Sequence, residues 1–282
     1  MYSILKLVTI TVISGAHDCK AFAFSRPNNF GLGKSHKKDS KTAALYMSVK
    51  APKYKKVFVA GGSRGVGRLI IDKLTDAGSE VVALVRNDDA ASELGGIEGV
   101  TVVKGDAFDY KSVEGAMDGC DAAISTLGGT TATEEGDKRV DYTGNSNVIE
   151  AAGILGVTRM ILVTSIGCGT SKEAAPATTF EVLKDVLAAK EKAENVLIKY
   201  YTNMNWTVIR PGGLKSEAAT GLAILTEDPM AIGTIHREDV ADLVCKALES
   251  SKTERKVLSA VDPSIITALN PDGRKIEEFA FV

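Results

Sequence analysis

The run Val57-Phe58-Val59-Ala60 stops in Gly61-Gly62-Ser63-Arg64-Gly65-Val66-Gly67, and a helical pattern starts at once with Leu69, Ile70, Ile71 and Leu74. No other stretch constrains the fold as strongly. A strand that turns this sharply into a helix presents backbone N–H groups and the positive helix end to an anion. Gly61 permits the tight turn, Gly65 lets a diphosphate approach the backbone, and Gly67 lets helix and strand pack closely. Gly61, Ser63, Arg64, Gly65 and Val66 are therefore the first candidate contacts to a dinucleotide. On the glycines alone, a βα turn without a ligand is the competing reading.

The rest of the chain supports the first reading. Strand patterns fall at 56–60, 80–85, 101–104, 121–126, 159–163, 206–210 and 256–260, with helical patterns between most of them, the longest at 136–155 and 179–202. The strands are short apolar runs rather than alternations, as burial on both faces requires. This predicts an α/β fold, a doubly wound parallel sheet of Rossmann type, in one domain over 55–262 with a small late part covering a substrate. Ligands of such sheets sit beyond the carboxyl ends of the strands. That rule selects Asp106 and Ala107, then Thr126, Leu127 and Gly128, then Thr164 and Ser165, then Pro211, Gly212, Gly213 and Leu214. Arg86 ends the second strand, nineteen residues after Gly67. An acid there would hold the ribose of NAD, whereas an arginine suits a 2′-phosphate, with Arg64 as a second guanidinium. NADP(H) is expected over NAD(H), which stays possible because Asp88 and Asp89 lie close by unless they start the next helix.

The N-terminal region has a different composition. Residues 7–14 form an apolar run after Lys6, and Ala21-Phe22-Ala23 is a small-x-small cleavage pattern. Residues 1–23 thus read as a signal peptide, too short in its apolar part to span a bilayer. Residues 24–54, with the two lysines that follow, carry nine Lys/Arg against Asp39 alone, a transit-peptide composition. A signal peptide followed by such a segment resembles the two-part plastid leader of algae with secondary plastids, and Lys20-Ala21-Phe22-Ala23-Phe24 resembles its Ala-Phe junction. The resemblance implies delivery to the plastid stroma; plain secretion and a simple basic tail are the alternatives. The whole chain carries −2, and the eleven Lys/Arg and two acids before residue 57 leave −11 on residues 57–282. An acidic body argues against nucleic acid as a partner. Cys19, Cys120, Cys168 and Cys245 form no Cys-x-x-Cys, and no Cys/His group has metal spacing. No metal is expected, and free thiols fit a reduced compartment.

Residues 60–67 resemble the cofactor turn Thr-Gly-x-x-x-Gly-x-Gly of short-chain dehydrogenase/reductases. Arg86, Gly105-Asp106, Asp141-Tyr142-x-Gly144-Asn145, Thr164-Ser165 and Arg210-Pro211-Gly212-Gly213-Leu214 resemble the atypical, NAD(P)-binding NmrA-like branch, which includes flavin- and biliverdin-reductase-like proteins. The resemblance covers about residues 56–262. It implies a seven-stranded Rossmann sheet and NADP(H) binding, though not by itself a reaction. Tyrosine-dependent members use Ser, Tyr and Lys, with Tyr four residues before Lys. The match places Ser165 and Lys190 as the catalytic counterparts, Lys190 also holding the cofactor. Val186 stands where the tyrosine would be, and Tyr200 and Tyr201 fall outside the spacing.

Valine transfers no proton. Two readings follow. One is an oxidoreductase reducing a small conjugated acceptor (flavin, quinone or bilin-like) that draws its proton from water or its own groups. The other is a non-catalytic NADP(H) sensor or scaffold on a plastid protein partner. An isomerase or lyase is a third, lesser option. Among the remaining residues, His236 is expected to be structural at a helix start, Cys168 a core or loop thiol, and Trp206 core. Lys190 and Glu194 are spaced for a helical i,i+4 ion pair. Residues 221–235 read as a substrate lid or an interface. The apolar end of the tail 263–282 reads as docking on the body or on a partner.

Overall fold

A computed structural model describes residues 51–129, 139–265 and 275–281 of the chain. The leader readings up to residue 50, the first residues of the expected 136–155 helix and the middle of the tail lie outside the described residues. The elements in order are β1 (Lys56–Ala60), α1 (Gly65–Asp76), β2 (Glu80–Val85), α2 (Asp88–Gly95), β3 (Val100–Lys104), α3 (Tyr110–Met117) and β4 (Ala122–Ser125). A π-helical turn (Val140–Gly144) leads into α4 (Asn145–Ile154), followed by β5 (Arg159–Val163), α5 (Ala177–Tyr200) and β6 (Asn205–Pro211). The late part holds β7 (Gly213–Lys215), β8 (Ile224–Thr226), β9 (Thr234–His236), α6 (Arg237–Glu249) and β10 (Lys256–Val261).

The main sheet runs β3-β2-β1-β4-β5-β6-β10-β8. All neighbours are parallel except β8, which pairs antiparallel with β10 through Ser259–Thr226, Ala260–Leu225 and Val261–Ile224. The order reverses between β1 and β4, the crevice where doubly wound sheets take their ligands. Two apolar layers flank the sheet. Ile70, Ile71 and Leu74 of α1 meet Val240, Val244 and Leu248 of α6 on one face. Val113 and Met117 of α3, Val148 and Ile149 of α4 and Leu197 of α5 cover the other, where Trp206 also packs. Such side chains contribute about 1.5–3 kcal/mol each when fully buried.

Among the described residues the sheet has eight strands instead of the seven that the resemblance implies. The extra edge strand comes from the 221–235 segment, where Leu225 is buried and Ile224 nearly so. This part of the presumed lid therefore belongs to the scaffold. The end of the tail returns to the body: Phe279 N donates to Leu225 O at 2.7 Å, and Phe279 and Phe281, edge to face with each other, pack against the first apolar layer. Asn87 caps α2 by accepting from Ala90 N, which puts Asp88 and Asp89 in the first helical turn, and Asp88 pairs with Lys104 at 2.6 Å. Neither the cap nor the pair needs a ribose, so Arg86 is left as the polar residue facing outward at the end of β2.

One buried charge locks α6 to the sheet. Arg159 is fully buried and has no carboxylate partner among the described residues. Its guanidinium donates to Ala247 O (2.6 Å), Leu248 O (3.3 Å), Asn205 O (2.7 Å) and Thr253 Oγ1 (2.8 Å). Two of these carbonyls belong to the negative end of α6, which favours a cation. Burial lowers its pKa.

Candidate active site

A cavity of about 750 Å³ opens along the carboxyl ends of β1, β2, β4, β5 and β6. One end is formed by Leu84, Val85 and Arg86 after β2, with Gly105, Asp106 and Ala107 after β3. The middle is the turn Gly61, Ser63, Arg64, Gly65, Val66 and Gly67, facing Thr126, Leu127, Gly128 and Gly129. Val163, Thr164 and Ser165, then Lys190 with Leu183, Val186 and Leu187, then Pro211 and Leu214, form the other end. Sixteen of the eighteen residues selected from the turn motif, the strand ends and the resemblance line one cavity.

Gly212 and Gly213 are the exceptions. They do not line the cavity but cross the backbone of Gly233. Gly212 N donates to Ala260 O at 2.9 Å and Gly213 N to Gly233 O at 3.0 Å, and a Cβ on Gly212 would overlap the Gly233 carbonyl. These glycines serve the junction of β6, β7 and β9, and β7 and β9 form a separate two-stranded parallel sheet. The need for small residues was legible; which neighbour demanded them was not.

The turn has the features of an anion site. Gly61 and Gly65 have φ of +85° and +59°, and Arg64 precedes α1 in extended conformation with no side chain capping the helix. No acid lies in the first turn of α1, whereas Asn87 and Asp109 cap α2 and α3. The leading N–H groups of α1 therefore lack a side-chain acceptor and border the cavity. A diphosphate fits this arrangement. A Cβ on Gly67 would overlap the Gly61 carbonyl oxygen and meet the Thr126 hydroxyl. Gly67→Ala should therefore destabilise the fold by about 1–3 kcal/mol, measured as a lower urea midpoint with an unchanged slope.

At the other end, Lys190 Nζ donates to Leu127 O (3.2 Å) and forms an ion pair with Asp141 Oδ1 at 3.1 Å. Asp141 is buried in the π-helical turn, and its Oδ2 accepts from Gly129 N at 3.1 Å. Asn145 Nδ2 donates to Asp141 O (2.9 Å), and Ser125 Oγ donates to Asn145 Oδ1 (2.6 Å). The expected Lys190–Glu194 pair does not form. Glu194 turns away to Arg210, with Nη2–Oε2 at 2.6 Å and Nε–Oε1 at 3.1 Å, and accepts from Thr164 Oγ1 at 2.6 Å. Each member of the presumed pair finds a buried partner on another element, and both those contacts outweigh an exposed i,i+4 pair. Thr164 thus lines the cavity while its hydroxyl anchors to Glu194. Ser165 Oγ donates to Ile166 O at 2.9 Å.

The side chains that sequence reasoning missed are Asp141 as the lysine's partner, Ser216 and Arg237 at the rim, and the apolar residues Leu183 and Leu187. Asp141 stood in the quoted Asp-Tyr-x-Gly-Asn motif and was the most findable; Arg237 arrives from a helix remote in sequence, with no local signal. Neither Tyr200 nor Tyr201 lines the cavity, and no tyrosine, histidine or cysteine does among the described residues. Cys168 is buried against Leu187 O, and burial pushes its thiol up to about 12. Burial likewise raises Cys245 to about 12 and Cys120 to about 11. These are not nucleophiles at neutral pH. His236 opens α6 beside Asp239 (3.5 Å) in a separate cluster with Asp262. The two carboxylates already accept from Thr220, Gly221 and Ser264. His236 lies at the start of α6, as expected, and its buried Nδ1 accepts or donates no hydrogen bond among the described residues.

The NAD(P)H-binding family model matches residues 61–251. At2g34460, a chloroplastic protein of Arabidopsis thaliana, is 32% identical over 220 residues, covering 75% of this chain and 78% of its own. YhfK of Bacillus subtilis, named an uncharacterized sugar epimerase, is 31% identical over 219 residues, covering 76% of this chain and 98% of its own. Among solved structures, the anaerobillin reductase ChuY of Escherichia coli O157:H7 matches with a TM-score of 0.68 at 30% identity, over 76% of this chain and 100% of its own. Among the described residues, no helix is long and apolar enough to cross a membrane. The chain belongs to the NAD(P)H-binding family of Rossmann-fold proteins and fits its atypical short-chain dehydrogenase/reductase, NmrA-like and biliverdin-reductase-like branch.

Proposed function

We propose that this protein is an NADP(H)-dependent reductase of a small, flat, conjugated acceptor such as a flavin, quinone or bilin-like molecule. The observation that carries the reading is the composition of the cavity end around Lys190. Leu183, Val186, Leu187, Pro211 and Leu214 make an apolar wall there, and Lys190 and Ser165 are its polar groups beside Thr164. A wall of this kind suits a flat apolar ring system and excludes water. Bound NADPH would supply the hydride. The chain's own part is to hold the dinucleotide by the glycine turn, Arg64 and Arg86, to fix Lys190 through Asp141, and to align the acceptor against the apolar wall. An acceptor able to take its proton from water needs no phenol where Val186 stands.

Val186 also favours a second reading, an NADP(H) sensor or scaffold without turnover that acts through a plastid protein partner. The acidic body with its basic leader, together with the likeness to a chloroplastic protein, supports plastid delivery through residues 1–23 and 24–54, with 55–262 as the cofactor domain. Absorbance at 340 nm with the chain, NADPH and a panel of flavins, quinones and bilins separates the two readings. Oxidation of NADPH by at least one acceptor is expected. Tight NADPH binding with no acceptor reduced would favour the sensor.

A further inference from the structure

Arg237 is the first residue of α6, which lies against α1 on the same face of the sheet. Its Cδ and Nε come within 3.8 Å of the point where a Gly65 Cβ would be, and no other group lies within 4 Å of that point. On the cofactor reading Gly65 is the residue that lets an anion reach the turn, so this side chain lies beside the turn in the same cavity. Both acids beside it are engaged elsewhere. Glu238 faces Lys73 (4.0 Å) and Ala219 N (3.4 Å), and Asp239 accepts from Gly221 N (2.9 Å) and Thr220 N (3.0 Å). These contacts fix the first turn of α6 and leave Arg237 directed at the cavity. Its Nη1 donates to Ser216 Oγ at 2.6 Å, and among the described residues no carboxylate pairs with Arg237, Arg64 or Arg86. Within a body of net −11, three guanidinium groups without a carboxylate partner among the described residues line one cavity.

We infer that Arg237 is the second jaw of a diphosphate clamp whose first jaw is the glycine turn. The inference rests on the cofactor reading above and adds a residue that the turn motif does not contain. An arginine presents several donors in a planar fork that matches phosphate oxygens. Ser216 holds the fork in place, so little side-chain freedom is lost on binding. The role differs from that of Arg86. The diphosphate is common to NADPH, NADH and ADP-ribose, whereas the 2′-phosphate is found in NADPH and in adenosine 2′-monophosphate.

Calorimetric titration of the full chain and of its Arg237→Ala and Arg237→Gln variants tests this with NADPH, NADH, ADP-ribose and adenosine 2′-monophosphate. Both variants are expected to weaken NADPH, NADH and ADP-ribose by a similar factor, roughly ten- to a hundredfold. Binding of adenosine 2′-monophosphate should stay within about twofold, which also reports that the variants are folded. Ser216→Ala should weaken the same three ligands by a smaller factor. Wild-type affinity for ADP-ribose in both Arg237 variants would overturn the clamp while leaving the cofactor reading intact. So would an equal loss for adenosine 2′-monophosphate. A parent chain that binds none of the four overturns both.

Discussion

Replacing Glu194 with Ala is expected to lower the stability of the protein by about 3–5 kcal/mol. Glu194 and Arg210 are 2% and 4% exposed, so the pair lies out of reach of solvent screening. The guanidinium meets both carboxylate oxygens, and its remaining nitrogen donates to Thr170 Oγ1 at 2.8 Å. Removing the carboxylate leaves a buried cation with no opposite charge, held among the described residues only by the Thr170 and Ser171 hydroxyls. It also frees the Thr164 hydroxyl, which ties the end of β5 to α5 at the Ser165 side of the cavity. The loss should therefore appear both as a lower urea midpoint and as faster amide exchange over residues 164–171. Replacing both charges, as Glu194→Leu with Arg210→Met, should recover most of the stability, because it is the orphaned charge and not the absent pair that is costly. A double variant as unstable as Glu194→Ala would show that packing around the pair, rather than its charge balance, is what matters.

The second large effect is on cofactor choice. Arg86→Asp is expected to weaken NADPH binding by roughly ten- to a hundredfold, as loss of a charged hydrogen bond and its reversal to like charge imply. NADH binding should hold or improve, since an acid at this place can accept from both ribose hydroxyls. Arg86 is exposed at the end of β2 and holds no ion pair among the described residues, so the change should leave the fold untouched. Asp88 and Asp89 do not compete for this role, because they belong to the first turn of α2. Measured side by side, Arg86→Asp should separate the two cofactors and Arg237→Ala should not, which would assign the two guanidinium groups to two different phosphates.

These residues also show what can be read from the chain alone. The glycine turn and the strands were legible because their signals are local: a buried parallel strand must be a short apolar run, and a turn that admits a diphosphate must be small. The turn motif, the strand ends and, for Lys190, the resemblance selected sixteen residues that line one cavity. Partner choice was not legible. Lys190 and Glu194 sit four residues apart, yet each bonds across to another element, because a buried carboxylate or ammonium is stabilised most by a partner that is buried too. Gly212 and Gly213 signalled close approach correctly, but the neighbour is the Gly233 backbone rather than a ligand. β8 has three residues, too few for a pattern, and only its pairing with β10 makes it a strand. Arg237 is brought to the turn by the packing of α6 on α1, a contact between helices 172 residues apart at their first residues.

The proposed function requires a dinucleotide seated with its diphosphate on the uncapped start of α1. The direct test is a structure of the chain grown with NADP⁺, read at the turn. The diphosphate oxygens are expected within hydrogen-bonding distance of the backbone N–H groups between Ser63 and Val66, with Arg86 at the 2′-phosphate. Dinucleotide density elsewhere on the chain, or a turn that stays free of it at saturating cofactor, would contradict it.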